Sequence, residues 1–247
     1  MIEKRIEIKQ QRNSESYEVF YNGSSIGFIQ TSRNRFHVGN LYLQLQLISY
    51  DKELGKELFT LLQQEHNEPF QIMCDSTEKE LIEFVEAAGF ICKRKCYECE
   101  VAKEDLKAEL QSEASMLLAK CPEKEYLEAS KILYAQYIEK HAAVNPMTAA
   151  FEEFLEILPK EVYVELQEGK VINYAFIEEN EIAYVGSINR NTYMNFIAKM
   201  VAMLFDEYET ICFECDDTDW EAMRLKELFT IEDKESYNTY ILERTEQ

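Results

Sequence analysis

The sequence has no uninterrupted apolar run long enough to span a bilayer, although 46% of its 247 residues are hydrophobic. With 30% charged residues, it predicts a soluble globular chain of one large domain or two small ones. Its first residues, MIEKRIEIKQQRN, have no apolar core and do not resemble a secretory signal. Seven cysteines without such a signal predict a reducing, cytoplasmic environment rather than a disulfide framework.

Cations are scarce: the chain has 26 Lys and Arg against 47 Asp and Glu. Residues 1–103 carry 13 basic and 16 acidic side chains (−3), and residues 104–247 carry 13 and 31 (−18), which together give −21. Nucleic acid is therefore not expected as a partner, because phosphate backbones require clustered cations. The charge favours a cationic small molecule or a basic peptide, or an acidic surface that serves solubility alone.

Metal ligands are also sparse. The three histidines, His37, His66 and His141, have no metal-binding spacing. Two CxxC pairs, Cys96–Cys99 and Cys212–Cys215, lie in predicted strands, where residues three apart face opposite sides of a sheet. We therefore predict buried small side chains and no metal site.

The first half alternates strand and helix patterns. Two β-rich runs around Asn22-Gly23 predict a hairpin, and LYLQLQL alternates strictly, as a strand does. The predicted elements are a strand at Ile2–Lys9, hairpin strands at Tyr17–Tyr21 and Ile26–Gln30, a strand at Leu41–Leu47, a helix at Asp51–Gln64, a strand at Phe70–Cys74, a helix from about Thr77 to Ala88 capped by Ser76 and ended by Gly89, and a strand at Phe90–Val101.

The segment 104–122 predicts a helical connector. Leu106, Leu110 and Leu117 recur on one side of a charged stretch, Lys103–Lys120, and Pro122 follows it. The predicted elements of the second half are helices at Tyr126–His141 and Met147–Leu158, hairpin strands at Val162–Gln167 and Val171–Ile177 around Glu168-Gly169, a strand at Ile182–Val185, a long helix to about Tyr208, a strand at Thr210–Cys215, a helix at Thr218–Phe229 capped by Asp217 or Thr218, and a strand at Tyr237–Leu242.

Each half contains a hairpin, strand, helix, strand, helix and strand in that order, which predicts a duplicated α/β unit. This order resembles the GNAT acetyltransferase superfamily, here as a tandem pair. The resemblance implies two GNAT-like units, at 1–103 and 123–247, each a mixed, mostly antiparallel sheet flanked by helices. Only the second half has two helices before its hairpin, and in the family these helices build the acceptor wall.

The turn from Val185 to Asn195 carries the first part of the family's cofactor motif, Val185-Gly-Ser-Ile-Asn-Arg190. In the family this turn holds the acetyl-CoA pyrophosphate, and a helix N-terminus suits an anion. The resemblance implies that 185–187 hold the pantetheine arm and that Arg190 and the amides of 191–195 hold the pyrophosphate. The implied cofactor-binding residues are Val185, Gly186, Ser187, Arg190, Asn191, Thr192, Tyr193 and Asn195.

The first half keeps a different part of the same motif, and its less favoured cofactor-binding residues are Leu45, Leu47, Tyr50 and Gly55. Its loop 50–53 carries two acids where a polyanion would bind, whereas the loop 190–193 carries one cation and no acid. Electrostatics therefore favours the second half as the cofactor site, whereas glycine content favours the first half. In the second half, Tyr193 and Asn195 stand where the family has small residues, and their side chains obstruct close approach to a pyrophosphate.

The tyrosine that protonates the departing thiolate in the family has no match here. Val85 stands at its position in the first half, and Lys226 or Leu225 in the second. Another hydroxyl or solvent must then donate, and we name Tyr237 as the candidate hydroxyl. Tyr184, Tyr193 and Tyr240 are further possible donors; as core aromatics they need no function, and we favour a core role for Tyr184.

Acidic residues gather at the end of the strand 210–215. Glu214 and Asp216 are our candidates for a general base or an ammonium anchor, since an amine must lose a proton before it attacks a thioester. Asp217 and Asp219 belong to the same cluster, and the alternative for all four acids is helix capping and dipole compensation.

Two functions follow as hypotheses. The first is acyl-CoA-dependent N-acyl transfer, with acetyl-CoA as cosubstrate and an amine of a small molecule or basic peptide as acceptor. The second is a catalytically degenerate GNAT fold that acts as a binding or regulatory module. In either case we expect a cytoplasmic monomer or homodimer.

Overall fold

The computed structural model describes residues 6–12, 15–110, 112–232 and 235–244. The chain divides into two units. The first comprises Met1–Lys95, His141–Thr148 and Tyr237–Gln247, and the second comprises Cys96–Lys140 and Ala149–Ser236. Both are mixed α/β, and among the described strands each unit has a mostly antiparallel sheet with a single parallel pair. The predicted fold class is confirmed.

The first unit contains the predicted hairpin, whose turn residues Asn22 and Gly23 have φ of 50° and 81°, as a type I′ turn requires. Of the predicted strand Ile2–Lys9, residues 2–5 lie outside the described residues. The strands in this unit are β1 (Ile6–Gln10), β2 (Ser16–Tyr21), β3 (Ser24–Asn34), β4 (His37–Leu47), β5 (Phe70–Asp75), residues 91–95 of β6 (Ile91–Ala102) and β12 (Tyr237–Leu242), and the helices are α1 (Lys52–Glu65) and α2 (Lys79–Ala87).

The core of the first unit lies under α1. Leu54, Leu58 and Leu62 are buried, as their helical spacing predicts. Phe59 packs edge-on against Phe90, with ring centroids 4.7 Å apart. These contacts hold α1 on the sheet, between the parallel strands β4 and β5 that it connects.

The second unit has the strand order β6-β11-β10-β9-β8-β7. No helix in the described ranges is long and apolar enough to cross a membrane. The strands in this unit are residues 96–102 of β6, β7 (Leu117–Lys120), β8 (Glu161–Gln167), β9 (Lys170–Glu178), β10 (Glu181–Ser187) and β11 (Thr210–Asp216), and the helices are α3 (Lys124–His141), α4 (Phe151–Ile157), α5 (Arg190–Glu207) and α6 (Trp220–Lys226).

The helical connector predicted for Lys103–Lys120 is wrong. A single 3-10 turn covers Lys103–Asp105, and residues 117–120 form β7, which pairs antiparallel with β8. Leu106 and Leu110 pack against the core of the second unit. Leu106 and Leu110 are therefore spaced for burial from an extended segment rather than from a helix. The residues that follow pair with the edge of β8, which would otherwise lack a partner strand.

Two predicted caps are also wrong. The cap of α6 is Asp219, rather than Asp217 or Thr218. Glu78 precedes α2 and makes no capping hydrogen bond with its side chain, so Ser76 is not the cap. Each helix starts later than predicted, because the strand before it is followed by a turn.

The units differ from the predicted boundaries at 103 and 123. The closing strand β12 pairs with β5 in the first unit, and residues 96–102 of β6 pair with β11 in the second. The helix predicted from Met147 begins only at Phe151. The preceding segment belongs to the first unit, where the Thr148 amide donates to the Phe36 carbonyl at 2.8 Å.

Gly27 allows β3 to lie close to β4. Its φ is +138°, and a Cβ there would lie 2.1 Å from the backbone oxygen of Gln46. We expect Gly27→Ala to lower the free energy of unfolding by about 2–4 kcal/mol in denaturant titrations, through backbone strain and displacement of the strand. The control Gly39→Ala, where a Cβ meets nothing within 4 Å, should change it by under about 0.5 kcal/mol. Equal losses of unfolding free energy in Gly27→Ala and Gly39→Ala would contradict the role of Gly27 in the close approach of β3 and β4.

Candidate functional site

The parallel pair in the second unit separates early. β10 and β11 pair only at Glu181↔Cys212 and Ile182↔Phe213, and a bulge follows in β10 between Ile182 and Tyr184. Val185 and Ser187 therefore lie beyond the ladder with β11. We call the space between the strands past these pairs the β10/β11 gap, and its opening between Ser187 and Asp216 the mouth.

The start of α5 lies directly beyond the end of β10. Asn189 caps the helix, and its side chain accepts the amide of Asn191 at 3.2 Å. The Ser187 hydroxyl accepts the amide of Asn189 at 2.9 Å. The helix start predicted to bind an anion is therefore present, with part of its donor set already bonded to side chains of the turn.

Gly186 makes room for a tyrosine. A Cβ on Gly186 would lie 2.0 Å from the hydroxyl oxygen of Tyr174. The Tyr174 hydroxyl donates to the side-chain oxygen of Gln136, and the Gln136 amide donates to the Ser187 carbonyl at 2.9 Å. The glycine thus permits a close approach of Tyr174 to β10, rather than an open path along the strand.

Tyr193 fills the space between α5 and α6. It is fully buried, its hydroxyl donates to the Glu221 carbonyl at 2.8 Å, and its ring lies edge-on to Trp220 at 5.2 Å. The Arg190 guanidinium stacks over the same Trp220 ring at 4.6 Å. Tyr193 is therefore a core residue, whereas Arg190 and Asn191 remain exposed.

The other predicted cofactor-binding residues lie at different depths. Val185 and Ser187 are buried on β10. Thr192 is partly buried and accepts the Asn173 side-chain amide at 2.8 Å. Asn195 is exposed, and its carbonyl accepts the Ser112 hydroxyl at 2.6 Å. The turn thus brings together the residues from 185 to 192, and Asn195 lies on the outer side of α5.

A buried ion cluster, which the sequence did not indicate, lies at the start of α6. Lys140 Nζ is 2.7 Å from an Asp219 oxygen and 2.9 Å from a Glu221 oxygen. Glu221 is 1% exposed, and burial raises its pKa to about 7 although Lys140 opposes the shift. The available signal was its spacing: Glu221 shares the buried face of α6 with Leu225.

Glu214 lies on one face of β11 with other acids. It pairs across the ladder with Glu98, and the Cys96 thiol donates to it at 3.8 Å. Glu214 is exposed, and partial desolvation of its carboxylate together with repulsion from Asp216 and Glu98 raises its pKa. We call Glu98, Glu214 and Asp216 the acidic face. Tyr237 lies on β12, in the first unit.

The equivalent turn in the first unit is packed differently. β4 and β5 pair only at Leu41↔Phe70 and Tyr42↔Gln71. Asp51 caps α1 by accepting the Glu53 amide at 2.9 Å, which places a carboxylate where a phosphate would bind. The Tyr50 ring lies edge-on to Phe84 at 5.4 Å.

Gly55, the glycine of the first-half motif, also serves packing. A Cβ there would lie 3.0 Å from the Phe84 carbonyl oxygen on α2. Leu45 is buried and Leu47 is partly buried against the core of the first unit. The first-half residues therefore hold helices α1 and α2 together. In the described part of the chain, no group of three or more His, Cys, Asp or Glu is arranged to hold a metal ion.

Comparison by sequence found no matching family model and no matching curated protein. By structure, the chain is similar to a GCN5-related N-acetyltransferase from Sphaerobacter thermophilus, with a TM-score of 0.58 and 10% identity over 96% of this chain and 83% of that one. It is also similar to a conserved protein from Enterococcus faecalis described as a probable N-acyltransferase. The TM-score is 0.53, and the identity is 11% over 98% of this chain and 72% of that one. The chain therefore has the fold of the GNAT acetyltransferases.

Proposed function

We propose that the chain is an acyl-CoA-dependent N-acyltransferase whose acceptor is an amine of a small molecule or a basic peptide. The observation that carries this proposal is the β10/β11 gap, which ends at the start of α5. Backbone groups of Val185 and Ser187 would bond the amides of the pantetheine arm, and Arg190 with the α5 N-terminus would hold the pyrophosphate. A cytoplasmic location and a monomer or homodimer remain predictions.

The acidic face is the proposed acceptor side. A carboxylate with a raised pKa is suited to take the proton that an ammonium must lose, and we assign this role to Glu214, directly or through water. Asp216 and Glu98 would attract the cation. The neutral amine attacks the thioester carbonyl, a C–N bond forms as the C–S bond breaks, and solvent protonates the departing thiolate.

The second candidate function is a GNAT fold that no longer catalyses and serves as a binding or regulatory module. The buried Tyr193, at a position where the family has a small residue, favours this alternative. Incubation with acetyl-CoA and a polyamine, an aminoglycoside or a peptide amine, with thiol release as the readout, separates the two. Turnover would exclude the alternative, and its absence alongside measurable ligand binding would exclude catalysis.

Calorimetric titration with acetyl-CoA tests the cofactor site. We expect binding by the wild type and about five- to tenfold weaker binding by Arg190→Ala, because a charge-assisted phosphate contact contributes about 1–1.5 kcal/mol at an exposed site. Lys199→Ala, the same loss of charge further along α5, is the control and should bind like the wild type. Absence of binding at millimolar concentration would refute the proposal.

The pH profile tests Glu214. Because its pKa is raised, the rate should fall as the pH drops through that pKa, and Glu214→Gln should lower kcat by about 10²–10⁴-fold. Glu98→Gln removes a repelling charge from the opposite residue of the ladder, so it should move the acid limb to lower pH and leave the plateau kcat intact, while the loss of a charge that attracts the acceptor raises KM. If the acid limb of the pH–rate profile has the same midpoint in Glu98→Gln as in the wild type, Glu214 is not the titrating base.

A further inference from the structure

Helix α3 makes contacts on both sides of the mouth of the β10/β11 gap. Gln136 and Lys140 lie one turn apart on the same face of α3. The Gln136 amide bonds the Ser187 carbonyl at the end of β10, and Lys140 bonds Asp219 and Glu221 at the start of α6, which follows β11. One turn of α3 therefore reaches from one wall of the mouth to the other.

The two faces of the mouth are closed by different kinds of contact. On the α5–α6 face, the fully buried Tyr193 is bonded to the backbone of α6. On the α3 face, the side chains of Lys140 and Asp219 are 17% and 22% exposed, so water reaches this pair and screens it, whereas the second partner of Lys140, Glu221, is 1% exposed. Opening the α3 face moves the half-buried side chains of Gln136 and Lys140, whereas opening the α5–α6 face displaces a fully buried aromatic ring.

The Gln136 side chain makes a hydrogen bond of the kind that a ligand amide could make. Its side-chain amide donates to a carbonyl of the strand that lines the gap, and the Tyr174 hydroxyl orients it from the other side. A pantetheine arm carries the same kind of donor, an amide N–H. The side chain and such a ligand compete for the same acceptor atom.

We propose that Gln136 and Lys140 form a latch across the mouth of the β10/β11 gap, and that acyl-CoA enters only when the latch is open. The identity of the ligand rests on the proposed function, whereas the latch itself is a property of the protein alone. The apparent affinity for acyl-CoA is then the intrinsic affinity reduced by the fraction of molecules in the open state.

Two variants test the latch separately. Gln136→Ala removes the bond to β10 and leaves the ion cluster intact, and Lys140→Ala removes the bond to α6. The control is Lys131→Ala, an exposed lysine on the same helix. Hydrogen exchange of the full chain without ligand should be about threefold or more faster at residues 185–189 in Gln136→Ala and at residues 219–226 in Lys140→Ala.

Calorimetry with acetyl-CoA is the second readout. Opening the latch should lower the Kd about three- to tenfold in Gln136→Ala, and Lys131→Ala should match the wild type. Wild-type exchange rates in both variants, or weaker binding by Gln136→Ala, would overturn the latch. If none of the proteins binds acetyl-CoA, the proposed function fails, and the exchange rates still decide whether the latch exists. Should Lys140→Ala not fold, Gln136→Ala decides alone.

Discussion

The short parallel ladder between β10 and β11 is the constraint on which the rest of the second unit depends. Because pairing stops at Ile182 and Phe213, the remaining backbone of β10 must find partners elsewhere. A buried backbone group without a partner costs about 1–3 kcal/mol, so something has to occupy the gap. In this chain Gln136 bonds the Ser187 carbonyl and Tyr174 covers Gly186. The same geometry that suits a ligand is therefore met by the side chains of the protein.

Helix α3 explains why the two units differ. It precedes the second hairpin and has no counterpart among the described residues before the first, so within that part of the chain only the second unit can close its gap from that face. In the first unit, Asp51 caps α1 and the Tyr50 ring packs on Phe84. Lys140 also places a cation beside Glu221 in a chain of net charge −21. A buried ion cluster contributes little net stability, but it fixes where α3 and α6 meet.

Local patterns predicted the hairpins and most helices, because a turn such as Asn22-Gly23 and a leucine stripe such as that of α1 act within a few residues. They failed where a distant edge decides the structure: residues 117–120 form a strand because β8 is there to pair with them. The same limit applies to the site. Arg190 and Val185 belong to a contiguous motif, whereas Gln136 and Glu221 become site residues only through contacts across 51 and 81 positions of the chain.

Tyr193 determines from which face a ligand can reach the gap. Removing a fully buried aromatic side chain costs about 3–5 kcal/mol, and its bond to the α6 backbone would be lost as well, so the α5–α6 face stays closed in any folded state. The α3 face is held by one neutral hydrogen bond, worth about 1 kcal/mol, and by the pairs of Lys140 with the partly exposed Asp219 and the buried Glu221. A departure from the family motif at Tyr193 therefore does not by itself abolish ligand binding. It restricts entry to the face covered by Gln136 and Lys140.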